Sequence, residues 1–250
     1  MMERMASLRR VREAIAAAVA AVVLCASGQA SAQETAKSRS AAAARLSDRP
    51  YTQAELGAGM LTLPATEFCL RDPATCTRGE IVPAGFLVML YRPNRRWAIG
   101  AGASMAVSSN TPNPTNYYTQ LDRSHSRNYL LFDTMARYYA LQLDWIEGWV
   151  GASIGAVIVR DMYKNNADNP SAPIVGPKGV DVRSEALTTG IEAGLAWSFG
   201  KNWSIAAALR SAWWLLPDER SCAPTGDCAT LSGKTAMFSL SAVLGYRIGL

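Results

Sequence analysis

The sequence has one place where a nucleophile and a base lie close together, around its only histidine. His125 is flanked by Ser124 and Ser126, and a serine hydroxyl activated by an imidazole is a common nucleophile in acyl transfer and hydrolysis. Adjacent residues of an extended chain point to opposite sides, however, so neither hydroxyl would face the imidazole. We therefore predict no catalytic residues, and a hydrolase or acyltransferase built on His125 is the alternative.

The cysteines are the second group that could do chemistry. Four of them form two close pairs in polar, proline-containing segments, Cys69 with Cys76 and Cys222 with Cys228. An even number of cysteines favours disulfides in an exported chain. Local bridges within each pair are the first expectation, and bridges crossed between the pairs are the alternative. The spacings are wider than a zinc-binding Cys-x-x-Cys and His125 lies elsewhere, so we predict no metal ligands and no cofactor.

The N-terminus predicts export. Four arginines within the first twelve residues precede an apolar run at residues 14–25 and a small-residue cleavage site at residues 30–32, which is typical of a secretory signal. We predict a signal peptide at residues 1–32, a flexible periplasmic lead-in at 33–50 and one folded domain at 51–250. Removal of the signal peptide takes away four arginines and two glutamates, so the net charge falls from +5 to +3. So small a charge does not favour binding to nucleic acid.

The stretch from Ala186 to Trp214 shows most clearly which secondary structure the folded domain contains. Large side chains alternate with small or charged ones on both sides of a turn at residues 199–202. A period of two around a tight turn is typical of a β-hairpin. In the first half, one face consists of Leu187, Thr189, Ile191, Ala193, Leu195 and Trp197, and the other of Thr188, Gly190, Glu192, Gly194 and Ala196.

The same alternation recurs along the chain and predicts eight strands joined by alternately long and short connections. The strands are expected at residues 53–63, 80–92, 96–107, 128–140, 149–160, 186–198, 203–214 and 234–250. Their small faces consist mainly of glycine, alanine and serine with isolated charges, which makes a poor water-facing surface but suits the interior of a narrow barrel. The large apolar faces would then point outward. A soluble monomer does not tolerate so large an apolar surface, whereas a bilayer requires it.

Aromatic residues near the strand ends support this orientation. Five lie near short connections and one near a long connection, as the interfacial girdles of a membrane barrel do. They are Trp97, Trp149, Trp197, Trp203 and Tyr246 on the first side and Trp213 on the second. We therefore expect short turns on the periplasmic side and four long loops on the external side.

With this pattern, residues 53–250 resemble small bacterial outer-membrane β-barrels of the OmpA/OmpX type. The last eight residues also resemble the signal by which such barrels are recognised for assembly, with Gly245, Ile248 and Leu250 at the third, sixth and eighth positions. Leu250 departs from the family, in which phenylalanine usually ends the chain. The resemblance implies an all-β, eight-stranded antiparallel up-and-down transmembrane β-barrel. It also implies a monomer in the outer membrane of a Gram-negative envelope, inserted by the barrel-assembly machinery.

Six charged residues occupy inward positions of the predicted strands, and their charges sum to zero. They are Glu55, Asp133, Glu192, Arg137, Arg210 and Arg247. Buried charges require partners, and the expected strand order brings Glu192 near Arg210, Arg247 near Glu55, and Asp133 near Arg137. We therefore predict an interior filled by an ion-pair network, without an open passage for solutes.

These expectations favour a non-enzymatic barrel with a structural or surface-binding role. Basic residues in the external loops could bind the phosphates of lipopolysaccharide. They are Arg71, Arg78, Arg123, Arg127, Lys164, Lys178, Arg183 and Arg220. The alternatives are a lipid A-modifying enzyme that uses His125, a narrow porin-like pore for small solutes, and a soluble exported barrel.

Overall fold

The structure is a computed structural model that describes residues 50–68, 76–108, 123–165, 179–224 and 227–249. The predicted signal peptide, the lead-in apart from Pro50, and Leu250 lie outside these residues. Within the described ranges, no helix is both long and apolar enough to cross a membrane.

Eight of the strands that the structure describes close into one antiparallel barrel. The strands are β1 (Tyr51–Thr62), β2 (Glu67–Phe68), β3 (Thr77–Arg78), β4 (Ile81–Arg92), β5 (Trp97–Ser108), β6 (Arg123–Gln142), β7 (Ile146–Asn165), β8 (Gly179–Phe199), β9 (Trp203–Leu215) and β10 (Lys234–Gly249). The order around the barrel is β1, β10, β9, β8, β7, β6, β5 and β4, while β2 and β3 form a separate two-stranded sheet. The predicted eight-stranded up-and-down barrel is confirmed.

The outward positions of the barrel strands carry mostly large apolar side chains, and the inward positions hold small and polar side chains together with a set of buried apolar and aromatic ones. In β8, Leu187 and Ile191 are 63% and 59% exposed, whereas Thr188 is 1% exposed. The orientation predicted from the alternation is therefore confirmed. The exposed leucine, isoleucine, methionine and aromatic side chains lie on strands all round the barrel, an apolar surface beyond what a soluble monomer tolerates.

Three strands extend further at the external end than the sequence analysis predicted. β6 already starts at Arg123, β7 continues to Asn165, and β8 starts at Gly179, so parts of two predicted loops are strands. The prediction was wrong because the outward residues at this level, such as Asp181 and Arg183, are charged and end the apolar alternation. The ladder between β7 and β8 nevertheless continues through them, since a strand outside lipid has no need of an apolar outer face.

The aromatic residues follow the predicted girdles with one exception. Trp97, Trp197, Trp203 and Tyr246 are exposed at the short-turn end, and Trp213 is exposed towards the external end. Trp149 is instead 4% exposed and points into the barrel, so its assignment to a girdle was wrong.

The reason is its place in the strand. Trp149 shares the inward side of β7 with Gly151 and lies directly opposite Gly194 of β8, where the absent side chain leaves room for the indole. The outward partner that the prediction missed is Trp145, which is exposed and packs on Trp197 with ring centroids 5.1 Å apart.

Candidate functional site

The interior of the barrel is layered, and one strand is enough to see the order. The inward residues of β6, from the external to the periplasmic end, are His125, Arg127, Tyr129, Leu131, Asp133, Met135, Arg137 and Tyr139. On β6, His125 and Arg127 lie at an external level and Asp133 and Arg137 at a middle level, with Tyr129 and Leu131 between the two levels. Charged residues of β4, β7 and β10 form a third, periplasmic level.

The middle level is centred on Arg137, which is buried between two carboxylates. Its Nη1 donates to both oxygens of Glu55, at 2.9 and 2.8 Å, and its Nε donates to Glu192. Gln53 donates a further hydrogen bond of 2.7 Å to Glu55, and the guanidinium lies 4.9 Å from the ring centroid of Trp149. Charge-assisted hydrogen bonds of this kind offset the cost of burying three ions.

A second ion pair of the middle level lies closer to the external end, since Asp133 precedes Arg137 by two inward positions on β6. Arg210 donates to Asp133 Oδ2 at 2.7 Å and to Ser153 Oγ at 3.0 Å. Arg210 belongs to β9 and Asp133 to β6, which are separated by two strands in the barrel order. The bond therefore crosses the lumen instead of following the wall.

The periplasmic level is closed by Glu147, which two arginines share. Arg92 lies 2.9 Å from one carboxylate oxygen and Arg247 lies 2.7 Å from the other. Arg92 also donates to the Tyr51 hydroxyl at 2.7 Å and stacks 3.6 Å from the ring centroid of Tyr139. Since Arg92, Glu147 and Arg247 lie on β4, β7 and β10, this level too is bridged across the lumen.

All six predicted network residues lie inside the barrel, but the three predicted pairings were wrong. Glu192 and Arg210 are opposite one another in the register of β8 and β9. The side chain of Glu192 nevertheless bonds Arg137, and that of Arg210 bonds Asp133. Arg247 bonds Glu147 instead of Glu55. The cause is geometric, because long inward side chains in a narrow barrel converge on the axis, where residues from non-adjacent strands are as near as register partners.

The sequence analysis also missed Arg92 and Glu147 as members of the network. Glu147 was assigned to a connection, although it has the same parity as Trp149 and Gly151 on β7. Arg92 is the last residue of β4 and has the inward parity of Leu90. Extending the alternation to the strand ends would have found both.

The external level is a cluster around Asp161. Its Oδ1 lies 2.7 Å from His125 Nε2 and accepts from Arg127 Nε at 3.2 Å, while its Oδ2 accepts from the backbone N–H of Thr230 at 3.0 Å. Arg127 also donates to Glu80 at 3.1 Å and to the Thr230 hydroxyl at 2.7 Å. Arg127 is 2% exposed, so its predicted role as a surface cation was wrong.

This cluster fastens the connection between β9 and β10 to the barrel mouth. Thr230 lies in that connection, and the residues on either side of it, Ala229 and Leu231, are each 1% exposed. Tyr163 of β7 donates a hydrogen bond of 2.6 Å to the carbonyl of Cys228. The connection therefore packs onto the inner wall of the external end and covers part of the mouth.

The structure has a disulfide between Cys222 and Cys228 in this connection, which is the local pairing expected from the sequence. Cys76 is also disulfide-bonded. Its expected partner, Cys69, lies outside the described residues, so that pairing stays a prediction.

The surroundings of His125 are those of a structural histidine. Its ring stacks on Tyr163 with centroids 4.5 Å apart, and its Nε2 bonds the Asp161 carboxylate. Ser124 and Ser126 lie on the outer side of β6, opposite the buried His125. The Thr230 hydroxyl bonds Asp161 at 2.8 Å. The arrangement holds a loop in place.

The Asp161 carboxylate makes the external level sensitive to acid. This level lies beyond the apolar belt, beside the outward ion pair of Arg160 and Asp181. Burial by itself would raise the pKa of Asp161, but the hydrogen bond with His125, the charge of Arg127 and the Thr230 N–H outweigh it and lower the pKa below its ordinary 3.8. A carboxyl group whose pKa is lower in the folded state stabilises the fold above its unfolded pKa and loses that contribution as the pH falls.

We therefore expect the stability advantage of the wild type over Asp161→Asn to be full at neutral pH and to shrink as the pH falls through the carboxylate range. Urea unfolding in detergent micelles at about pH 3 and about pH 7 measures the difference. Asp181→Asn is the matched control, because its partner Arg160 is on the exposed outer face. Equal differences at both pH values for Asp161→Asn would contradict the assignment.

The predicted assembly signal is described only in part. Gly245 faces inward, and a Cβ there would come within 2.9 Å of Gln53 Nε2. Ile248 faces outward and is exposed, while Leu250 lies outside the described residues. The role of this C-terminal signal in assembly stays a prediction.

Comparison with known proteins supports the fold. No protein-family model matches the chain. A major outer membrane protein from Thermus thermophilus is similar with a TM-score of 0.53 and 13% identity, over 80% of this chain and 99% of that chain. The chain has the fold of the small outer-membrane β-barrels. Neisserial surface protein A gives a TM-score of 0.48 with 13% identity, over 80% of this chain and 97% of that chain. Ail of Yersinia pestis gives 0.45 with 11% identity, over 80% and 99%.

One curated protein is similar in sequence over a short stretch. Congo red hypersensitive protein 2 of Saccharomyces cerevisiae is 33% identical over an alignment of 98 residues, which covers 36% of this chain and 21% of that protein. The chain thus spans about a fifth of the yeast protein, and the likeness carries no activity over to the barrel.

The outer surface places this outer-membrane barrel in lipid. Along β9, the outward residues between Trp203 and Trp213 include Ile205 and Leu209, which are both more than half exposed. A closed barrel leaves no strand edge with unpaired backbone groups, which is the condition for crossing a bilayer with strands. An apolar belt on this fold places the protein in the bacterial outer membrane.

Proposed function

We propose that the protein is a non-enzymatic outer-membrane barrel with a rigid wall and an interior filled by side chains. Its external loops bind a partner at the cell surface. The observation that carries the proposal is the set of ion pairs that cross the lumen at successive levels. Arg137 joins β6 to β1 and β8, Arg210 joins β9 to β6, and Glu147 joins β7 to β4 and β10.

These bonds favour a structural role over a pore. A solute moving along the axis would have to separate buried ion pairs at each level, and an unpaired buried charge costs several kcal/mol. Apolar side chains lie between the middle and external levels, among them Leu131, Trp214 and Met237, each 1% exposed or less. An eight-stranded barrel has an interior only wide enough for such side chains.

The enzyme alternative receives no support from His125. Acyl transfer needs a hydroxyl within hydrogen-bond reach of the base, whereas His125 is held between Asp161 and Tyr163. Its flanking serines lie on the other side of the strand.

The external surface carries basic residues that suit an anionic partner, and we propose lipopolysaccharide phosphate as the partner class. Lys164 and Arg183 are exposed there, Arg220 is half-buried, and Arg78 is exposed and paired with Glu67. Arg71, Lys178 and the side chain of Arg123 lie outside what the structure describes. Insertion by the barrel-assembly machinery through the C-terminal signal belongs to the same proposal.

Epitope accessibility in a Gram-negative host tests the orientation and the compartment. One variant carries an epitope within residues 166–178, and the matched control carries it in the short turn at residues 200–202. We expect antibody to label the first variant on intact cells and the second only after the outer membrane is permeabilised.

Planar-bilayer recordings of the untagged protein supply the second readout, and we expect them to stay flat. Labelling of the short turn on intact cells would show that the short turns face outward and would contradict the proposed orientation. Stepwise conductance would overturn the filled interior.

A further inference from the structure

A row of four inward residues crosses the inner wall of the barrel from β6 to β9. Asp133 of β6 lies opposite Gly155 of β7, which lies opposite Thr188 of β8. Thr188 in turn lies opposite Trp214 of β9. The side-chain-bearing members, Asp133, Thr188 and Trp214, are 5%, 1% and 0% exposed. The row therefore brings a carboxylate, a hydroxyl and an indole N–H to one level of the interior.

Each of these three side chains has a polar atom without a hydrogen-bond partner among the residues that the structure describes. The atoms are Asp133 Oδ1, Thr188 Oγ1 and Trp214 Nε1. Buried polar atoms in proteins are nearly always satisfied, either by protein groups or by ordered water. Three such atoms in one row therefore point to a small polar ligand at this level.

The Asp133 carboxylate shows where this ligand would lie. Its Oδ2 accepts from Arg210 at 2.7 Å, whereas its Oδ1 lies over Gly155, 2.8 Å from the position that a Cβ of that residue would take. Thr188 is one strand further along the row. Neighbouring strands are about 4.8 Å apart, which is the span of one molecule that makes a hydrogen bond of about 2.8 Å on either side.

Apolar side chains close this level towards the external end. Leu131 and Val157, one inward position nearer that end, are register partners, and both are fully buried. The indole of Trp214 packs on Tyr129 with ring centroids 5.6 Å apart. A molecule bound over Gly155 is thus separated from bulk water on its external side, so we expect it to exchange slowly.

The hydrogen-bonding capacity of the three groups decides which molecule fits. The carboxylate oxygen only accepts, the indole N–H only donates, and the hydroxyl can do both. Water can satisfy all three, and a buried water usually has about two to four polar partners. A metal cation needs more oxygen ligands and cannot accept from an N–H. It would also add an unpaired charge, because Asp133 and Arg210 already neutralise each other.

We propose that the barrel interior has a binding site for one ordered water molecule over Gly155. The water donates to Asp133 Oδ1 and accepts from the Thr188 hydroxyl, and Trp214 covers it on the external side. It completes the hydrogen bonding of the carboxylate that Arg210 bonds across the lumen. Because the site lies inside the wall, it does not depend on which end of the barrel faces the cell surface.

A crystal structure of the purified wild-type protein, at a resolution that shows ordered waters, tests the site. We expect one density peak within about 3 Å of both Asp133 Oδ1 and Thr188 Oγ1. Thr188→Val removes the hydroxyl with little change of shape and is expected to abolish the peak. The matched control is Thr189→Val, the same change at the next residue, which is exposed on the outer face. The peak is expected to remain in that variant.

Oxygen-17 relaxation dispersion of the protein in micelles counts long-lived waters without crystals of each variant. We expect Thr188→Val to lose one such water relative to the wild type and Thr189→Val to lose none. The site is refuted by a wild-type structure without the peak, by an unchanged peak in Thr188→Val, or by an equal loss in the control.

Two other results have separate meanings. A peak whose contacts are too short for hydrogen bonds would identify a metal ion and overturn the assignment to water. Stepwise conductance in planar bilayers would instead refute the filled interior of the proposed function, so the two failures are distinguishable.

Discussion

Arg137→Met is expected to lower the free energy of unfolding by about 3–5 kcal/mol, because it leaves Glu55 and Glu192 buried without their shared cation. Urea titration in detergent micelles, monitored by tryptophan fluorescence, measures the change in the free energy of unfolding. The side chain of Met replaces the aliphatic part of Arg137 but not the guanidinium that lies against Trp149, so the loss includes a packing contribution as well as the charge effect. Without the cation, the two carboxylates repel each other in a medium of low dielectric constant.

Two further variants isolate the charge effect. Arg160→Met removes an exposed partner of Asp181 and is expected to cost about 0–1 kcal/mol. Adding Glu55→Gln and Glu192→Gln to Arg137→Met should recover most of the lost stability, since no buried carboxylate then lacks a cation. Equal losses for Arg137→Met and Arg160→Met would show that the middle level contributes no more than a surface pair.

Gly194→Ala is expected to destabilise the barrel by about 1–3 kcal/mol, the usual cost of overpacking. A Cβ at this position would fall onto the six-membered ring of Trp149, which lies directly opposite on β7. The indole would have to leave its place beside Arg137 and Tyr139. The fraction of folded protein, from the mobility difference of unboiled and boiled samples on a gel, measures the loss along the same urea series.

The matched control is Gly85→Ala on β4, where a Cβ meets no atom within 4 Å. It is expected to be neutral within about 0.5 kcal/mol, as surface changes usually are. Combining Gly194→Ala with Trp149→Ala should cost less than the sum of the two single changes, because the added methyl group then enters the space the indole left. Strict additivity would mean that Gly194 and Trp149 do not interact.

The alternation of side chains was sufficient to predict most of the fold. It predicted eight strands, their antiparallel order and the outward direction of residues such as Leu187 and Ile191. Prediction stopped at the external ends of β6, β7 and β8, where the outer face becomes polar and the pattern in the sequence ends although the ladder continues. It also misplaced Trp149, whose residue type suggested an interface while its parity pointed to the lumen.

The sequence by itself determined which side of each strand faces lipid, because a period of two places every second residue on the same face wherever the strand runs. It likewise determined that Glu55, Asp133, Arg137, Glu192, Arg210 and Arg247 lie inside. Only the tertiary structure decided which of them meet. Inward side chains of a narrow barrel converge on its axis, and contacts there join strands that are neither neighbours in the sequence nor partners in the sheet. The cluster of His125, Arg127, Asp161 and Thr230 arises in the same way, from closure of the barrel and the return of a loop into its mouth.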